Sequence, residues 1–410
     1  MAKMNGAQMV VKALEDEGVS TVFGLPGGTV IHLYDALYDS KLNHILMRHE
    51  QAASHAADGY ARTSGRPGVC IATSGPGATN LVTGIATANL DSAPMVAITG
   101  QVATTMIGTD AFQEADIIGA SLPLVKHSFQ VRTPDQVQST IHKAFYIAST
   151  GRPGPVLVDV PADVQKGMGD YKYSTELDFL GYHPENLYDV SQLEAAVSLI
   201  EHAERPVIFA GGGVIRSGAS ELLIDFALKY EIPVTTTLLG KGAFPESHPS
   251  GLALGMAGLH GHPVANRALM GADVIIAIGS RFSDRTTGNR QRFAADAKII
   301  HIDLDAAEID KAIETDVYLV GDAARVLEAL ADAMKKKIAD HGEWNRHLSE
   351  VREKEPMPRH EYSGEIAPWQ VLETLHDLTK GEAVLTTEVG QNQMWAAQHF
   401  RVEAPRRFLS

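Results

Sequence analysis

Glu50 is the acidic residue that the sequence places best for chemistry. It follows a short apolar run at residues 44–47 that predicts a buried strand, and it precedes an Ala-rich helix that ends near Arg62. In open α/β sheets this carboxyl end of a strand is where ligands bind. Small apolar neighbours would leave a carboxylate there poorly solvated. The position alone is equally compatible with an ordinary first-turn acid that the helix macrodipole stabilises.

Two glycine-containing loops also lie between a predicted strand and a predicted helix. Residues 24–28 follow a strand at 21–23, and their glycines allow a close backbone approach to a flat ligand, although an ordinary turn would use the same residues. Residues 74–80 follow a strand at 68–73 and offer N–H donors, two hydroxyls and an amide. The second loop is the stronger indication of a ligand site, although it does not match a phosphate-binding P-loop.

A second group of such features occurs farther along the chain. Three consecutive glycines at 211–213 follow a strand at 206–210, in a turn that departs from Gly-x-Gly-x-x-Gly and is compatible with a nucleotide site or a tight turn. Arg281 and Arg285 follow the strand at 274–278 and suit phosphates. Asp303 and Asp305 come at the end of the next strand and suit ribose hydroxyls. Together they predict a dinucleotide site.

The elements that must position these residues alternate between strand and helix, which predicts parallel sheets with right-handed crossovers. We predict an α/β protein of successive doubly wound parallel-sheet domains, the first at residues 1–165 and the second at 190–335. Polar residues at 167–188 predict a linker, and a charged helix with a second linker follows from 335 to 363. A third domain opens at 364 with a helix at 368–378 and a strand at 383–387. Because an α/β domain needs about 100 residues, we expect residues 364–410 to be its start only, and the chain to be a fragment.

Composition narrows the class of protein. The 410 residues carry a formal net charge of -15, which argues against nucleic acid as a partner. The single cysteine, Cys70, excludes a disulfide framework and predicts a reducing compartment. No signal peptide and no long apolar run is evident, so we predict a cytoplasmic protein.

The motifs resemble the catalytic large subunit of acetolactate synthase, also called acetohydroxyacid synthase, a thiamine-diphosphate enzyme family of branched-chain amino acid biosynthesis. The resemblance covers nearly the whole chain through the segments 23–28, 48–62, 72–81, 107–114, 151–161, 281–285 and 389–398. The first three are typical of thiamine-diphosphate enzymes in general, and segments 107–114, 281–285 and Met394-Trp395 point to this family.

The resemblance implies an activity and its residues. Pyruvate would be decarboxylated on thiamine diphosphate, and the hydroxyethyl unit joined to a second 2-keto acid, pyruvate or 2-ketobutyrate. Glu50 would hydrogen-bond the aminopyrimidine N1′ of the cofactor, and Phe112 and Gln113 would line the substrate side. The other thiamine-diphosphate contacts implied are Pro26, Gly27, Gly28, Thr73, Pro76, Gly77, Asn80, Gly390, Gln391 and Asn392.

The resemblance further implies FAD in the central domain and Mg²⁺ at the diphosphate. The FAD contacts implied are Arg152, Gly211, Gly212, Gly213, Thr237, Leu238, His260, Gly279, Arg281, Asp284, Arg285, Asp303, Gly321 and Asp322. The Gly-Asp-Gly motif that holds magnesium in this family does not occur between 366 and 410, so no metal ligand is expected in this chain and the chain alone is expected to be inactive. A homodimer or homotetramer with sites at subunit interfaces is implied, the Ala-rich helix after Glu50 packing on the partner, together with a small regulatory subunit.

Two departures from the family pattern concern the site. Ala103, Thr104 and Thr105 stand where proline and basic residues are frequent, and Asn392 stands where histidine is common. Two alternatives remain at this stage: another thiamine-dependent 2-keto acid decarboxylase or oxidase, and a catalytically silent FAD-binding protein.

Overall fold

The computed structural model describes residues 2–177, 179–184, 189–334, 340–360 and 363–410. The chain forms two compact units, Met1–Pro184 and Glu185–Ser410. The predicted linker residues 185–188 and the start of the charged segment at 335–339 lie outside the described residues.

The first unit is built on a six-stranded parallel sheet with strand order β3-β2-β4-β5-β7-β6. Its strands are β1 (Ala2–Asn5), β2 (Thr21–Gly24), β3 (Asn43–Leu46), β4 (Gly68–Ala72), β5 (Met95–Gln101), β6 (His127–Gln130), β7 (Pro155–Pro161) and β8 (Met168–Tyr171). Its helices are α1 (Gly6–Asp16), α2 (Ile31–Tyr38), α3 (Glu50–Ser64), α4 (Pro76–Asn80), α5 (Val82–Leu90), α6 (Ile117–Ser121), α7 (Val137–Ser149) and α8 (Ala162–Lys166). Strands β4, β5 and β7 are buried along their whole length, which explains why their sequences are mostly apolar. The predicted doubly wound α/β architecture is confirmed.

The start of the predicted linker is part of the first unit instead. Strand β8 pairs antiparallel with β1, from Ala2 opposite Tyr171 to Asn5 opposite Met168. The interpretation of residues 168–171 as linker was therefore wrong. A four-residue polar strand with a single ladder gives no periodicity that would predict it.

The alanines on one face of helix α3 are buried by packing within the first unit. Ala53, Ala57 and Ala61 are buried, and the first two pack in the cluster between α3, β4 and α5. A Cβ on Gly84 of α5 would lie 2.1 Å from the Ser54 Oγ, so only glycine permits this helix-to-helix approach. The alanines of this face are therefore covered within their own unit, and the expectation that the helix packs on a partner subunit stays a prediction for the rest of its surface. The opposite face, with Gln51 and Ala52, is exposed.

The second unit contains another six-stranded parallel sheet, with strand order β11-β10-β9-β12-β13-β14. Its strands are β9 (Pro206–Ala210), β10 (Val234–Thr236), β11 (Ala253–Met256), β12 (Val274–Ile278), β13 (Lys298–Asp303) and β14 (Val317–Val320). Its helices are α9 (Leu193–His202), α10 (Gly212–Arg216), α11 (Ser220–Tyr230), α12 (Pro263–Gly271), α13 (Asp284–Thr287), α14 (Ala323–Ala333) and α15 (Gly342–Lys354). Two large apolar clusters cover the two faces of this sheet, as doubly wound folds require.

The last described residues belong to the same second unit. They form α16 (Pro368–Thr379), α17 (Gln391–His399) and a short parallel pair, β15 (Leu385–Thr386) with β16 (Phe408–Leu409). The predicted helix at 368–378 agrees with α16 to within one residue. The predicted strand at 383–387 was too long, because only two of its residues pair.

Both six-stranded sheets reverse their winding direction at one point. In the first, the chain runs outward from β2 to β3 and then crosses to β4; in the second it runs from β9 to β11 and then crosses to β12. The neighbouring strands β2 and β4, and likewise β9 and β12, therefore open a crevice at their carboxyl ends. The three glycine loops singled out in the sequence follow β2, β4 and β9, and the segment with Arg281 and Arg285 follows β12.

Candidate functional site

Glu50 is the first residue of α3 and lies beside the crevice between β2 and β4. Its side chain is buried, and its Oε2 accepts a hydrogen bond of 3.0 Å from the Asn80 Nδ2. A Cβ on Gly77 would lie 3.2 Å from the Glu50 Oε1 and 2.7 Å from the Thr73 side chain. Asn80 thus fixes one carboxylate oxygen, and the glycine keeps space beside the other.

The two loops of this crevice are tied together through threonines. The Thr29 N–H and hydroxyl lie 3.2 and 3.0 Å from the Thr73 Oγ1, and the Ser74 N–H donates to the Thr29 Oγ1 at 3.0 Å. A Cβ on Gly27 would lie 2.5 Å from the Thr73 side chain, whereas one on Gly28 would meet nothing within 4 Å. Gly27 therefore permits loop packing, and Gly28 lies at the open surface with Pro26.

The segment 107–114 reaches the same crevice. The Gln113 carbonyl oxygen would lie 2.7 Å from a Cβ on Gly75, so the two loops pack backbone to backbone. Phe112 is 88% exposed beside it. Glu114 closes the segment by accepting hydrogen bonds from the N–H groups of Gly108, Thr109 and Ala111, and these bonds lower the pKa of its carboxyl. The structure thus brings Phe112 and Gln113 beside the loop that bears Gly75, Pro76 and Gly77.

A buried polar network anchors that segment, and the sequence analysis missed it. Asp159 on β7 has no exposed surface and accepts hydrogen bonds from Thr99, Gln101 and Gln130. Gln101 also donates to the Ala115 carbonyl at 3.0 Å. Burial raises the pKa of Asp159 to about 6 in spite of the three donors. The sequence did contain one indication of this network, because Asp159 is an acidic residue within the otherwise apolar run of β7.

Tyr34 and His44 are two further residues that sequence reasoning missed. Their rings meet edge to face at 5.0 Å, and the Tyr34 hydroxyl and His44 Nε2 are buried with no hydrogen-bond partner among the described residues. Burial, the neighbouring Cys70 and Glu50 raise the pKa of the Tyr34 hydroxyl, and burial lowers the pKa of His44. Unsatisfied polar atoms of this kind are costly in a core. They lie on elements that adjoin the first crevice.

In the second crevice, the glycine turn packs directly against the loop after β12. The Gly211 N–H donates to the Ile278 carbonyl and the Gly213 N–H to the Gly279 carbonyl. A Cβ on Gly211 would lie 2.0 Å from the Gly279 oxygen, and one on Gly213 would lie 2.6 Å from the Gly279 Cα. Gly279 itself has a φ of 56°. The glycines are thus required for the approach of two backbones, and Gly212 begins α10 between them.

Three buried polar atoms, on β10, on β13 and in the loop after β12, have no hydrogen-bond partner in the part of the chain that the structure describes. They are the Thr236 Oγ1, the Ser280 Oγ and the His301 Nδ1. The other ring nitrogen of His301 lies 2.9 Å from the Ser280 carbonyl oxygen, and burial lowers the pKa of this histidine. Free donors and acceptors at a crevice of this type suit a polar ligand such as a dinucleotide.

Several residues predicted to contact FAD already have local roles. Asp322 caps α14 by accepting from the Ala324 N–H and from the Ser217 hydroxyl. The Asp303 Oδ1 accepts from the Asp305 N–H, and its carbonyl accepts from Gly321. The remaining predicted positions in this unit lie on loops around the crevice: Thr237 and Leu238 follow β10, His260 is exposed before α12, Arg281 is partly buried, and Asp284 and Arg285 are exposed in α13.

Arg152 and the residues at 390–392 lie on other parts of the fold. Arg152 belongs to the first unit, where its Nε donates to the Ser92 hydroxyl at 2.9 Å. Gly390, Gln391 and Asn392 belong to the second unit and lie exposed at the start of α17. Within the described residues, no group of three or more His, Cys, Asp or Glu side chains is arranged to hold a metal ion, and no helix is long and apolar enough to span a membrane.

Comparison with known proteins agrees with this geometry. Residues 4–120 match the family model of the thiamine pyrophosphate enzyme N-terminal TPP binding domain, and residues 193–330 match that of the thiamine pyrophosphate enzyme central domain. The chain is 52% identical to a probable acetolactate synthase large subunit from Methanocaldococcus jannaschii, over 99% of this chain and 70% of the relative. It is 50% identical to the acetolactate synthase large subunit of Corynebacterium glutamicum, over 100% of this chain and 66% of the relative.

These matches span both crevices, and their identities are far above the level at which only a fold is shared. The buried Glu50 with its glycine loops lies inside the N-terminal match, and the glycine turn at 211–213 lies inside the central match. The chain belongs to the acetolactate synthase large-subunit family of thiamine pyrophosphate enzymes.

Proposed function

We propose that the protein makes acetolactate, by decarboxylating pyruvate and joining the remaining two-carbon unit to pyruvate or 2-ketobutyrate. When bound, thiamine diphosphate supplies the carbon nucleophile and accepts the electron pair that decarboxylation releases. The protein would orient the cofactor and the substrate, exclude water from the site, and hold a proton on the Glu50 carboxylate.

The observation that carries the proposal is the environment of the Glu50 carboxylate. One oxygen is held by Asn80, and the other lies beside Gly77, where a side chain would close the space. A carboxylate with one fixed and one open oxygen can hold and return a single proton to a ring nitrogen placed against it. Gly27, Gly28, Thr73 and Pro76 would form the walls of this cofactor site.

Phe112 and Gln113 would meet the substrate on the other side of the cofactor. They lie on a segment that packs on Gly75 and is fixed by Glu114 at one end and Gln101 beyond it. An exposed aromatic ring there would exclude water from a 2-keto acid once the site is filled. The diphosphate is assigned to Gly390, Gln391 and Asn392, and Mg²⁺ would accompany it without a ligand set from the described residues.

We further propose that the crevice between β9 and β12 binds FAD. The unpartnered Thr236, Ser280 and His301 atoms and the close glycine turn support this assignment. The large-subunit names of the relatives support a partner small subunit, and we propose a homodimer or homotetramer as the core assembly. Light scattering of the purified protein, with and without FAD, measures the subunit number.

Product analysis tests the activity. The full-length protein is incubated with pyruvate, thiamine diphosphate, Mg²⁺ and FAD, and acetolactate is detected as acetoin after acidification. Free acetaldehyde as the main product would instead establish a decarboxylase, and bound flavin without any turnover would establish a silent FAD-binding protein.

Glu50→Gln tests the residue. Glutamine keeps an oxygen that can accept from Asn80 but cannot exchange the proton, so we expect turnover to fall by on the order of 10²-fold or more with little change in stability. Glu194→Gln is the matched control, since Glu194 is an exposed first-turn acid of α9. Equal rates for Glu50→Gln and the control would remove Glu50 from the mechanism.

A further inference from the structure

The carbonyl end of α17 is held by a lysine that has no contact with solvent. The Lys241 side chain is 0% exposed, and its Nζ donates to the Ala397 carbonyl at 2.9 Å. The same Nζ lies 2.5 Å from the Glu246 Oε1. Lysine is almost never fully buried unless it is paired. Here both partners are defined, and one of them is a main-chain carbonyl of α17.

Glu246 joins the same lysine to the chain beyond α17. Its Oε2 accepts from the Val402 N–H at 3.0 Å, and its own N–H donates to the Val402 carbonyl at 3.3 Å. The ion pair therefore bonds both to the last turn of α17 and to the segment that follows it. A cation at this end of a helix also opposes the negative end of the macrodipole.

His262 is the third residue that lies against the carbonyl end of α17. Its Nδ1 accepts from the Met256 N–H at 3.2 Å, and the ring lies close to the backbone of Gln398. Gln398 in turn donates to the His260 carbonyl at 3.0 Å. Burial and the neighbouring Lys241 lower the pKa of His262, which favours the neutral ring.

An apolar cluster surrounds these polar bonds. Met256 from β11 packs with Ala396, Ala397, Phe400 and Phe408, all of which are buried. Because water is excluded, the hydrogen bonds of Lys241 gain in strength and in geometric precision. The other end of α17 starts at Gly390, whose φ is 151°, with Gln391 and Asn392 exposed beside it.

We propose that Lys241, together with Glu246 and His262, is a positioning residue that fixes α17 by its carbonyl end and so sets the place of Gly390, Gln391 and Asn392 for the diphosphate. A nine-residue helix is a rigid rod of about 14 Å, so a shift at one end moves the other. The assignment of the diphosphate to these three residues rests on the proposed function. The fixing of α17 by Lys241 does not.

The test compares Lys241→Met with Lys241→Met/Glu246→Gln, which leaves no lone buried carboxylate. Lys298→Met is the matched control, because Lys298 is an exposed lysine paired with Asp316 in the same unit. Hydrogen exchange is measured over α17 with α11 as internal reference, and thiamine diphosphate binding is titrated in the presence of Mg²⁺. We expect exchange in α17 to accelerate by about tenfold or more in both variants, with α11 and the control unchanged.

Cofactor binding then distinguishes the fixing of α17 by Lys241 from the binding of the diphosphate by residues 390–392. We expect the dissociation constant for thiamine diphosphate to rise by about tenfold while bound flavin is retained, with partial rescue by Lys241→Arg. Exchange in α17 that stays at the wild-type rate in the folded double variant would overturn the role of Lys241. Faster exchange in a protein that never binds thiamine diphosphate would keep that role and refute the proposed function.

Discussion

Asp159→Asn is expected to remove a specific part of the pH dependence of stability. Burial raises the pKa of Asp159 from the ordinary 3.8 to about 6. Between these values the native state binds a proton that the unfolded state has released, so the free energy of unfolding must fall as pH rises through this window. A shift of about 2 units at 1.36 kcal/mol per unit gives a loss of about 3 kcal/mol. Above about pH 6 the loss is complete, and below about pH 4 it is absent.

The assay measures how the free energy of unfolding changes with pH, rather than its absolute value. Urea unfolding is followed through hydrogen exchange of the β5 and β7 amides, which report on the first unit, at several pH values between 4 and 7. Asparagine keeps one oxygen and replaces the other with an N–H₂ group, so it presents a donor either to the Thr99 hydroxyl or to the amides of Gln101 and Gln130, and this conflict lowers stability at every pH. The difference between wild type and Asp159→Asn should therefore shrink by about 3 kcal/mol as pH rises from 4 to 7.

Asp163→Asn provides a control of opposite sign. Partial burial of Asp163 is outweighed by hydrogen bonds from Thr104, so the pKa of its carboxyl is lowered and its stabilising contribution is lost as pH falls. A wild-type-minus-Asn difference that stays constant for Asp159 across this range would refute the view that a desolvated carboxyl anchors Gln101.

Two further results follow from close packing. Gly213→Ala should reduce bound flavin and destabilise the second unit by more than 1 kcal/mol, roughly the cost of overpacking, because its Cβ would lie 2.6 Å from the Gly279 Cα. Flavin absorbance and thermal unfolding measure these effects, and Gly59→Ala is the control because a Cβ there would meet nothing within 4 Å. Unchanged flavin content in Gly213→Ala would contradict the assignment of this glycine turn to FAD binding. Cys70 should not react with a thiol reagent in the native protein, since it has no exposed surface and burial raises its pKa to about 12; reaction before unfolding, timed against circular dichroism, would show that β4 opens locally.

The sequence predicts most of what builds the two crevices. Strands β4, β5, β9 and β12 are continuous apolar runs, and such runs followed by glycine loops predict buried parallel strands with a ligand edge. Glu50 does start its helix as predicted, but the strand before it, β3, is an edge strand with Ile45 and Leu46 exposed, so the prediction that this strand is buried was wrong.

Two of the strands that the sequence did not predict, β6 and β11, lack that signal. Strand β6 is a partly exposed edge strand that starts with a histidine, and β11 contains Gly255 at a φ of 80° beside an irregular register. Edge strands are covered on fewer sides and so need fewer apolar residues.

Long-range polar pairing is likewise invisible in the sequence. Asp159 accepts hydrogen bonds from Thr99 and Gln101, which lie about 60 residues away in the chain, and Lys241 donates to the Ala397 carbonyl at a separation of 156 residues. A lysine or aspartate is normally exposed, and only the assembled fold shows which one has been enclosed with its partners.

The pairing of β1 with β8 has a consequence for synthesis of the protein. The second residue of the chain pairs with Tyr171, and the Gly6 N–H donates to the Gly167 carbonyl. On a ribosome, β1 therefore remains an unpaired edge until residue 171 has left the exit tunnel, although the six-stranded sheet needs only residues up to Pro161. We therefore expect nascent chains between these two lengths to expose β1 as an unpaired strand, which is the kind of segment that pairs wrongly or needs protection until its partner is made.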